Sequence, residues 1–247
     1  MTDIKADKIL FLDIETVPQT RNLSDMSEDM ILLWSEKFNI LQKRMPDRYG
    51  EDCTAAQSFE REAGIYAEFG KIVCISVGIL TNKNGTTIFH IKSFCGHDEK
   101  VLLEEFSAML TRFMTTPYHQ ICGHNIKEFD IPYIARRMLI NGLPLPEVLQ
   151  IAGKKPWEVK FIDTLELWRF GDYKNYTSLK LLATIFNIPT PKDDIDGSEV
   201  AGVYYQENDV ERIATYCQKD VVATARLYLK FVGLPLFGET DIEIAKS

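Results

Sequence analysis

The 247 residues contain no Cys-x-x-Cys pair, no long apolar run and no surplus of basic residues. The five cysteines, Cys53, Cys74, Cys95, Cys122 and Cys217, are odd in number and widely spaced, so reduced thiols and no zinc site are expected. No stretch approaches the roughly 18–20 apolar residues of a membrane span, and residues 1–8 are too polar for a signal peptide. A cytoplasmic protein with no membrane partner is the expectation. A net charge of −8 argues against a generic nucleic-acid coating protein, whose surface is normally basic. It does not exclude a nuclease, because exposed charges are screened beyond about 8 Å and a few local groups or bound metals decide the field in a cleft. No internal repeat or low-complexity tract is found.

The composition is that of an ordinary globular chain, 45% hydrophobic and 26% charged, long enough for one large core. A single domain over residues 1–247 is expected, with a helical insertion at about 19–69 and a tail from about 233 that packs across the surface. Residues 8–15 read as a buried strand. In the insertion, Ser27 starts a helix with Met30, Leu33, Trp34 and Phe38 at helical spacing, and Phe59, Ala63 and Tyr66 share a second possible helical face. Strands at 71–80 and 86–94 flank Asn82-Lys83-Asn84-Gly85 and form a hairpin. A helix over 99–114, a short strand over 120–123 and a helix with Pro132 in its first turn follow. A short strand at 160–163, a helix at 178–186 and a long helix from Asn208 to about Phe231, with Asn208 and Glu211 at capping-box spacing, complete the order. Hairpin strands first and strand-helix units afterwards predict an α/β fold, a mixed sheet flanked by helices.

Chemistry first shows at Asp13 and Glu15. A strand has period two, so Phe11, Asp13 and Glu15 share one face. Two like charges ending an apolar strand repel and resist desolvation, which a divalent cation between them would relieve. Asp-x-Glu recurs at Asp209-Val210-Glu211 and Asp241-Ile242-Glu243, where a helix start and the tail make capping or solvated carboxylates the expectation. In Asn125-Ile126-Lys127-Glu128-Phe129-Asp130 a strand-to-helix loop delivers Asp130 to a helix N-terminus, as a cap or as a functional carboxylate. Asn125 fits an ordinary turn and His124 a loop hydrogen bond. Tyr216 and Asp220 share a helix face, as a hydrogen-bonded surface pair or as part of a site. Asp163 is expected to make a structural hydrogen bond.

In order, Asp13 and Glu15 on the first strand, Asp130 after a later strand, and Tyr216 with Asp220 on the final helix resemble the three motifs of the DEDD 3′-5′ exonucleases. The tyrosine four residues before Asp220 points to the DEDDy branch, and Thr215 stands where a DEDDh enzyme has histidine. With Phe69-Gly70-Lys71-Ile72-Val73-Cys74-Ile75-Ser76 and Gly123-His124-Asn125, the chain looks most like the predicted exonucleases related to the proofreading domain of family B DNA polymerases. The resemblance spans about residues 8–231 and shows no polymerase portion. It implies a ribonuclease H-like fold and hydrolysis of single-stranded DNA or RNA from its 3′ end, with DNA favoured.

It also implies two divalent cations, magnesium or manganese, which suit a cluster of hard carboxylate oxygens. By resemblance, Asp13 bridges both ions, Glu15 and Asp220 hold the water-activating one, Asp130 supports the second through water, and Tyr216 holds the attacking water. Thr16, Asn125 and Phe129 are candidate substrate contacts, Phe129 equally a core aromatic. Lys127, Arg136, Arg137, Lys174 and Lys180 are candidate phosphate contacts with none singled out. Rival expectations are a non-cleaving module that binds nucleic-acid ends or partner proteins, and a phosphoesterase acting on small nucleotides. No replication or repair partner is identified.

Overall fold

The apolar run that opens the chain forms the middle of a mixed sheet. The computed structural model describes residues 6–50, 52–155, 158–159, 161–189 and 195–245. Its strands are β1 (Ile9–Pro18), β2 (Gly70–Lys83), β3 (Thr86–Cys95), β4 (Gln120–Gly123), β5 (Phe161–Asp163) and β6 (Ile242–Ile244), in the spatial order β5-β4-β1-β2-β3-β6. β1-β2 and β2-β3 are antiparallel, whereas β1-β4, β4-β5 and β3-β6 are parallel. The Asn84-Gly85 turn between β2 and β3 places both residues at positive φ, 54° and 87°, the conformation in which a two-residue hairpin loop follows the strand twist.

β1 alternates as its sequence predicts. Leu10, Leu12 and Ile14 enter the core formed with α4 (Glu99–Phe113) and α5 (Asp130–Ile140). Ile9 and Phe11 pack on the other face against Val221, Val222 and Ala225 of α9 (Val210–Val232). β1 is therefore buried on both sides, and its polar residues, Asp13, Glu15 and Thr16, all lie from its middle onward. There the β1-β2 register slips between Glu15 and Thr16, a bulge of the kind that re-aims side chains beside functional sites.

The segment between β1 and β2 forms three helices, α1 (Glu28–Arg44), α2 (Pro46–Tyr49) and α3 (Ala55–Glu62). Ser27 caps α1 through a bond from the Met30 N–H. Trp34 is fully buried among Phe59, Tyr66 and Phe69, but Leu33 is half exposed, so the inward stripe is Met30-Trp34-Phe38. The end of the segment is bolted to the main core. Arg137 of α5 donates to both carboxylate oxygens of Glu99, at 2.9 and 2.6 Å, and to the Ala67 carbonyl at 2.8 Å. Tyr133 donates to the Gly64 carbonyl at 2.7 Å.

α6 (Thr164–Arg169), α7 (Leu179–Ile185) and α8 (Val200–Gly202), which runs into one π turn over Val203–Glu207, lead to α9. Two expectations need correction. The cap of α9 is Asp209, which accepts from the Arg212 N–H, because Asn208 is taken up in left-handed conformation at the end of the π turn. The tail does more than cover the surface, since β6 adds a parallel edge strand to β3. Residue 160, expected to begin β5, lies outside the described residues. Among the described residues no helix is long and apolar enough to cross a membrane.

Candidate active site

Three separate parts of the chain converge on the α9 face of β1. Asp13 and Glu15 occupy alternate positions of the strand, and Cys217 of α9 lies over them. Its Sγ is 3.4 Å from the Asp13 carbonyl oxygen and 3.5 Å from Oδ2. Single oxygens of Asp13 and Glu15 and the sulfur of Cys217 all fall within 4.8 Å of one another. Glu15 is 8% exposed, and Asp13 keeps only part of its surface.

Asp130 arrives through the β4-α5 loop. Gly123 allows the tight exit from β4, because a Cβ there would stand 2.7 Å from the Ile126 side chain. Asn125, at φ 61°, then reverses the backbone. Asp163, at the end of β5, fastens this loop: its carboxylate accepts from the N–H groups of Asn125 (3.0 Å), Lys127 (3.2 Å) and Leu165 (2.9 Å). Its role is the structural one expected from the sequence. His124 is a loop hydrogen-bonder, joined to the Thr164 hydroxyl and donating from Nε2 to the Thr177 carbonyl, both at 2.9 Å. Asp130 is the first residue of α5 and is 4% exposed, with Phe129 standing at the cap position.

The electrostatics show what the cluster requires. Burial is the largest cause raising the Asp13 carboxyl well above its ordinary range, and Cys217, Asp130, Asp220 and Glu15 push it the same way. Glu15 is raised by burial first, then by Cys217, Asp220 and Asp130. Asp130 is pushed up to about 7 by burial, against hydrogen bonding from its own and the Ile14 backbone. Buried like charges of this kind stay ionised together only with a compensating positive charge. A set of carboxylate oxygens suits a hard divalent cation. The Cys217 thiol, directed at the Asp13 oxygens, fits a hydrogen-bond donor at the edge of that set.

Tyr216 and Asp220 line one side of a cleft with Tyr176, Lys180, Asp196 and Glu199. Tyr176 lines the cleft beside Asp220, and its phenol is raised by burial and then by Asp130, Asp13, Asp163 and Asp220. The structure thus brings Asp13, Glu15, Asp130, Tyr216 and Asp220 to one place.

The candidate substrate contacts divide. Asn125 is a loop residue beside the site. Thr16 is half-buried at the end of β1, and Phe129 packs partly against the main core with its ring 5.4 Å from Tyr133. Among the phosphate candidates, Arg137 is committed to buried Glu99, a correction, and Lys127 pairs with Glu166 at 2.6 Å. Arg136 and Lys174 are exposed, and Lys180 reaches the cleft. Sequence reasoning gave no role to Cys217 or Tyr176. The signal for Cys217 is its spacing, three residues before Asp220 and four before buried Val221, which turns it toward the sheet.

Residues 65–237 match a protein family described as "Predicted 3'-5' exonuclease related to the exonuclease domain of PolB". The matched range contains Asp130, Tyr216 and Asp220, while Asp13 and Glu15 precede it and join them through the fold. No curated protein matches the chain. The mixed six-stranded sheet flanked by helices fits a ribonuclease H-like exonuclease fold. With the match covering well over half its length, the chain belongs to this family of predicted 3′-5′ exonucleases related to the exonuclease domain of PolB.

Proposed function

We propose that the protein is a metal-dependent 3′-5′ exonuclease of the DEDDy type. It acts as a single domain in the cytoplasm and releases nucleoside monophosphates from single-stranded nucleic acid, with DNA favoured by the family's relation to a DNA polymerase domain. One observation carries the reading. Asp13, Glu15, Asp130 and Asp220 come from a strand, a helix start and a final helix far apart in sequence, yet Asp130 and Asp220 stand close enough to raise the pKa of both Asp13 and Glu15.

Asp13, Glu15 and Asp220 would hold two divalent ions, magnesium or manganese, with Asp130 supporting the second. Such ions, when bound, supply an activated water and stabilise charge at phosphorus and on the leaving oxygen. Tyr216 shares the cleft with Asp220 and orients the attacking water through its hydroxyl. Cys217 keeps the Asp13 carboxylate in place by donating to it.

Support for a single-stranded substrate comes from the loop between α6 and α7. Phe170, Tyr173 and Tyr176 are 92%, 71% and 63% exposed there, and Tyr176 lines the cleft. Exposed rings beside a phosphodiesterase cleft suit unstacked bases, each worth about 1–3 kcal/mol when stacked. Thr16, Asn125 and Phe129 are further proposed contacts, at the strand end and the loop beside Asp130.

Asp220→Ala should lower exonuclease turnover by about 10²–10³-fold or more while the protein stays folded. Tyr216→Phe should cost about a hundredfold with metal affinity preserved. Oligonucleotide degradation and calorimetric metal titration check both. Near-wild-type turnover by Asp220→Ala would refute the assignment, and loss of metal binding by Tyr216→Phe would make the tyrosine structural.

A further inference from the structure

Behind the carboxylates runs a line of thiols that the proposed chemistry does not use. On the α9 face of the sheet Glu15 lies opposite Cys74, and Cys74 lies opposite Cys95. The Gly96 N–H donates to the Val73 carbonyl at 3.1 Å, so that neighbouring pair is the hydrogen-bonded one and Cys74 and Cys95 form a non-hydrogen-bonded pair. Such pairs hold their Cα atoms about 4.5 Å apart with side chains at their closest, within the roughly 4.4–6.8 Å that a disulfide spans. Cys74 and Cys217 lie in one buried cluster against which Cys95 packs, and the Cys74 Sγ is 3.6 Å from the Ser76 hydroxyl. Cys217 in turn touches the Asp13 carbonyl and carboxylate.

Exposure is graded along this line. Cys74 and Cys217 are fully buried, whereas Cys95 is half-buried and lines an open cavity of about 570 Å³ with Lys92, Glu105, Arg112 and Glu211. The cavity wraps the last residues of β3, past Phe89–Ile91 where β6 covers the edge. A small oxidant can therefore reach Cys95 from solvent without passing through the active-site cleft.

We propose that Cys95 and Cys74 are an oxidation site, at which hydrogen peroxide converts the pair to a reversible cross-strand disulfide whose formation is felt at Asp13 through Cys217. The Cys95 sulfur attacks peroxide, an S–O bond forms as the O–O bond breaks, and one water leaves. The Cys74 sulfur then attacks the sulfenic sulfur, the S–S bond forms as S–O breaks, and a second water leaves. Two thiols lose two electrons in all, and peroxide gains them. Cys95 is the sulfur oxidised first, because it is the accessible one and Cys74 pulls its thiol below the ordinary range. Bridging pulls the Cys74 sulfur toward Cys95 and so repacks the buried cluster that it shares with Cys217, opposite Glu15.

The test treats the whole protein with peroxide, blocks remaining thiols and maps peptides by mass spectrometry. The same samples are assayed on a 5′-labelled single-stranded oligonucleotide in magnesium. The expected result is a peptide linked through Cys74 and Cys95, a rate at least about tenfold lower, within the hundredfold that about an ångström of misplacement costs, and recovery with dithiothreitol. Cys95→Ser should yield neither the link nor the loss. The rate measurement rests on the exonuclease reading, but the peptide map does not. Untreated protein without activity would count against that reading alone, leaving the map to decide the disulfide. Cys95 driven to sulfinic acid with Cys74 still free would overturn the site, and a linked peptide with an unchanged rate would overturn its coupling to Asp13.

Discussion

The carboxylates of Asp13, Glu15 and Asp130 are costly to the protein without metal, and the cost has a pH signature. Burial raises all three above their ordinary range, Asp130 to about 7. Between the unfolded carboxyl pKa near 4 and these folded values the native state binds more protons than the unfolded one. This contribution to stability is therefore full below pH 4 and is lost as pH rises toward 7 and beyond. A tenfold change in proton affinity is worth about 1.4 kcal/mol, so a few kcal/mol are at stake. In chelator, Asp13→Asn should stabilise the protein by an increment that grows from pH 5 to pH 8, and magnesium should restore wild-type stability at pH 8. Thermal melts at the two pH values check this, and an increment independent of pH would contradict it. Asp13 and Glu15 were legible in the sequence because a strand's period of two places them side by side. Cys217 was not, because only the packing of α9 on β1 brings a thiol to Asp13.

At the scale of elements, the join between α4 and α5 is the clearest structural test. Arg137 and Glu99 make two hydrogen bonds to each other at 4% and 8% side-chain exposure, and Glu99 also accepts from the Ile72 N–H at 2.7 Å. Arg137→Ala leaves a buried carboxylate unpaired, so a loss of about 3–5 kcal/mol in urea unfolding is expected. A loss under about 1 kcal/mol would show that water or another group takes over. A smaller effect separates two neighbouring residues. Asp209→Ala removes the cap of α9 and should cost about 1 kcal/mol, whereas Asn208→Gly removes no cap hydrogen bond and suits the left-handed φ of 56° at that position. Equal costs in parallel denaturation curves would contradict the assignment. The sequence placed this helix but misassigned its cap, because Asn and Asp cap equally well and the π turn before them decides which is free. β6 was missed for a different reason: three residues, two of them exposed, carry little pattern, and their pairing depends on β3 being an open edge.

At the scale of the molecule, the sheet order puts the carboxylate-bearing strand between an antiparallel hairpin and two parallel strands. β1 is gripped on both faces, and its C-terminal end meets the start of α5 and the middle of α9. That convergence was readable in outline, since the hairpin, the later strand-helix units and the long last helix all follow hydrophobic periods. The helical segment between β1 and β2 was readable as helices but not as a unit held by Trp34, Tyr133 and Arg137, because those contacts join residues distant in sequence. The central claim, that this arrangement removes nucleotides from a 3′ end with metal, is tested most directly by degradation of 5′-labelled single-stranded DNA and RNA of matched sequence. Wild type and Asp13→Ala are compared in magnesium, manganese and chelator. The expected result is a 3′-to-5′ ladder, stronger on DNA, that disappears in chelator and with Asp13→Ala. A ladder that survives in Asp13→Ala, or no cleavage of either strand by metal-bound wild type, would contradict it.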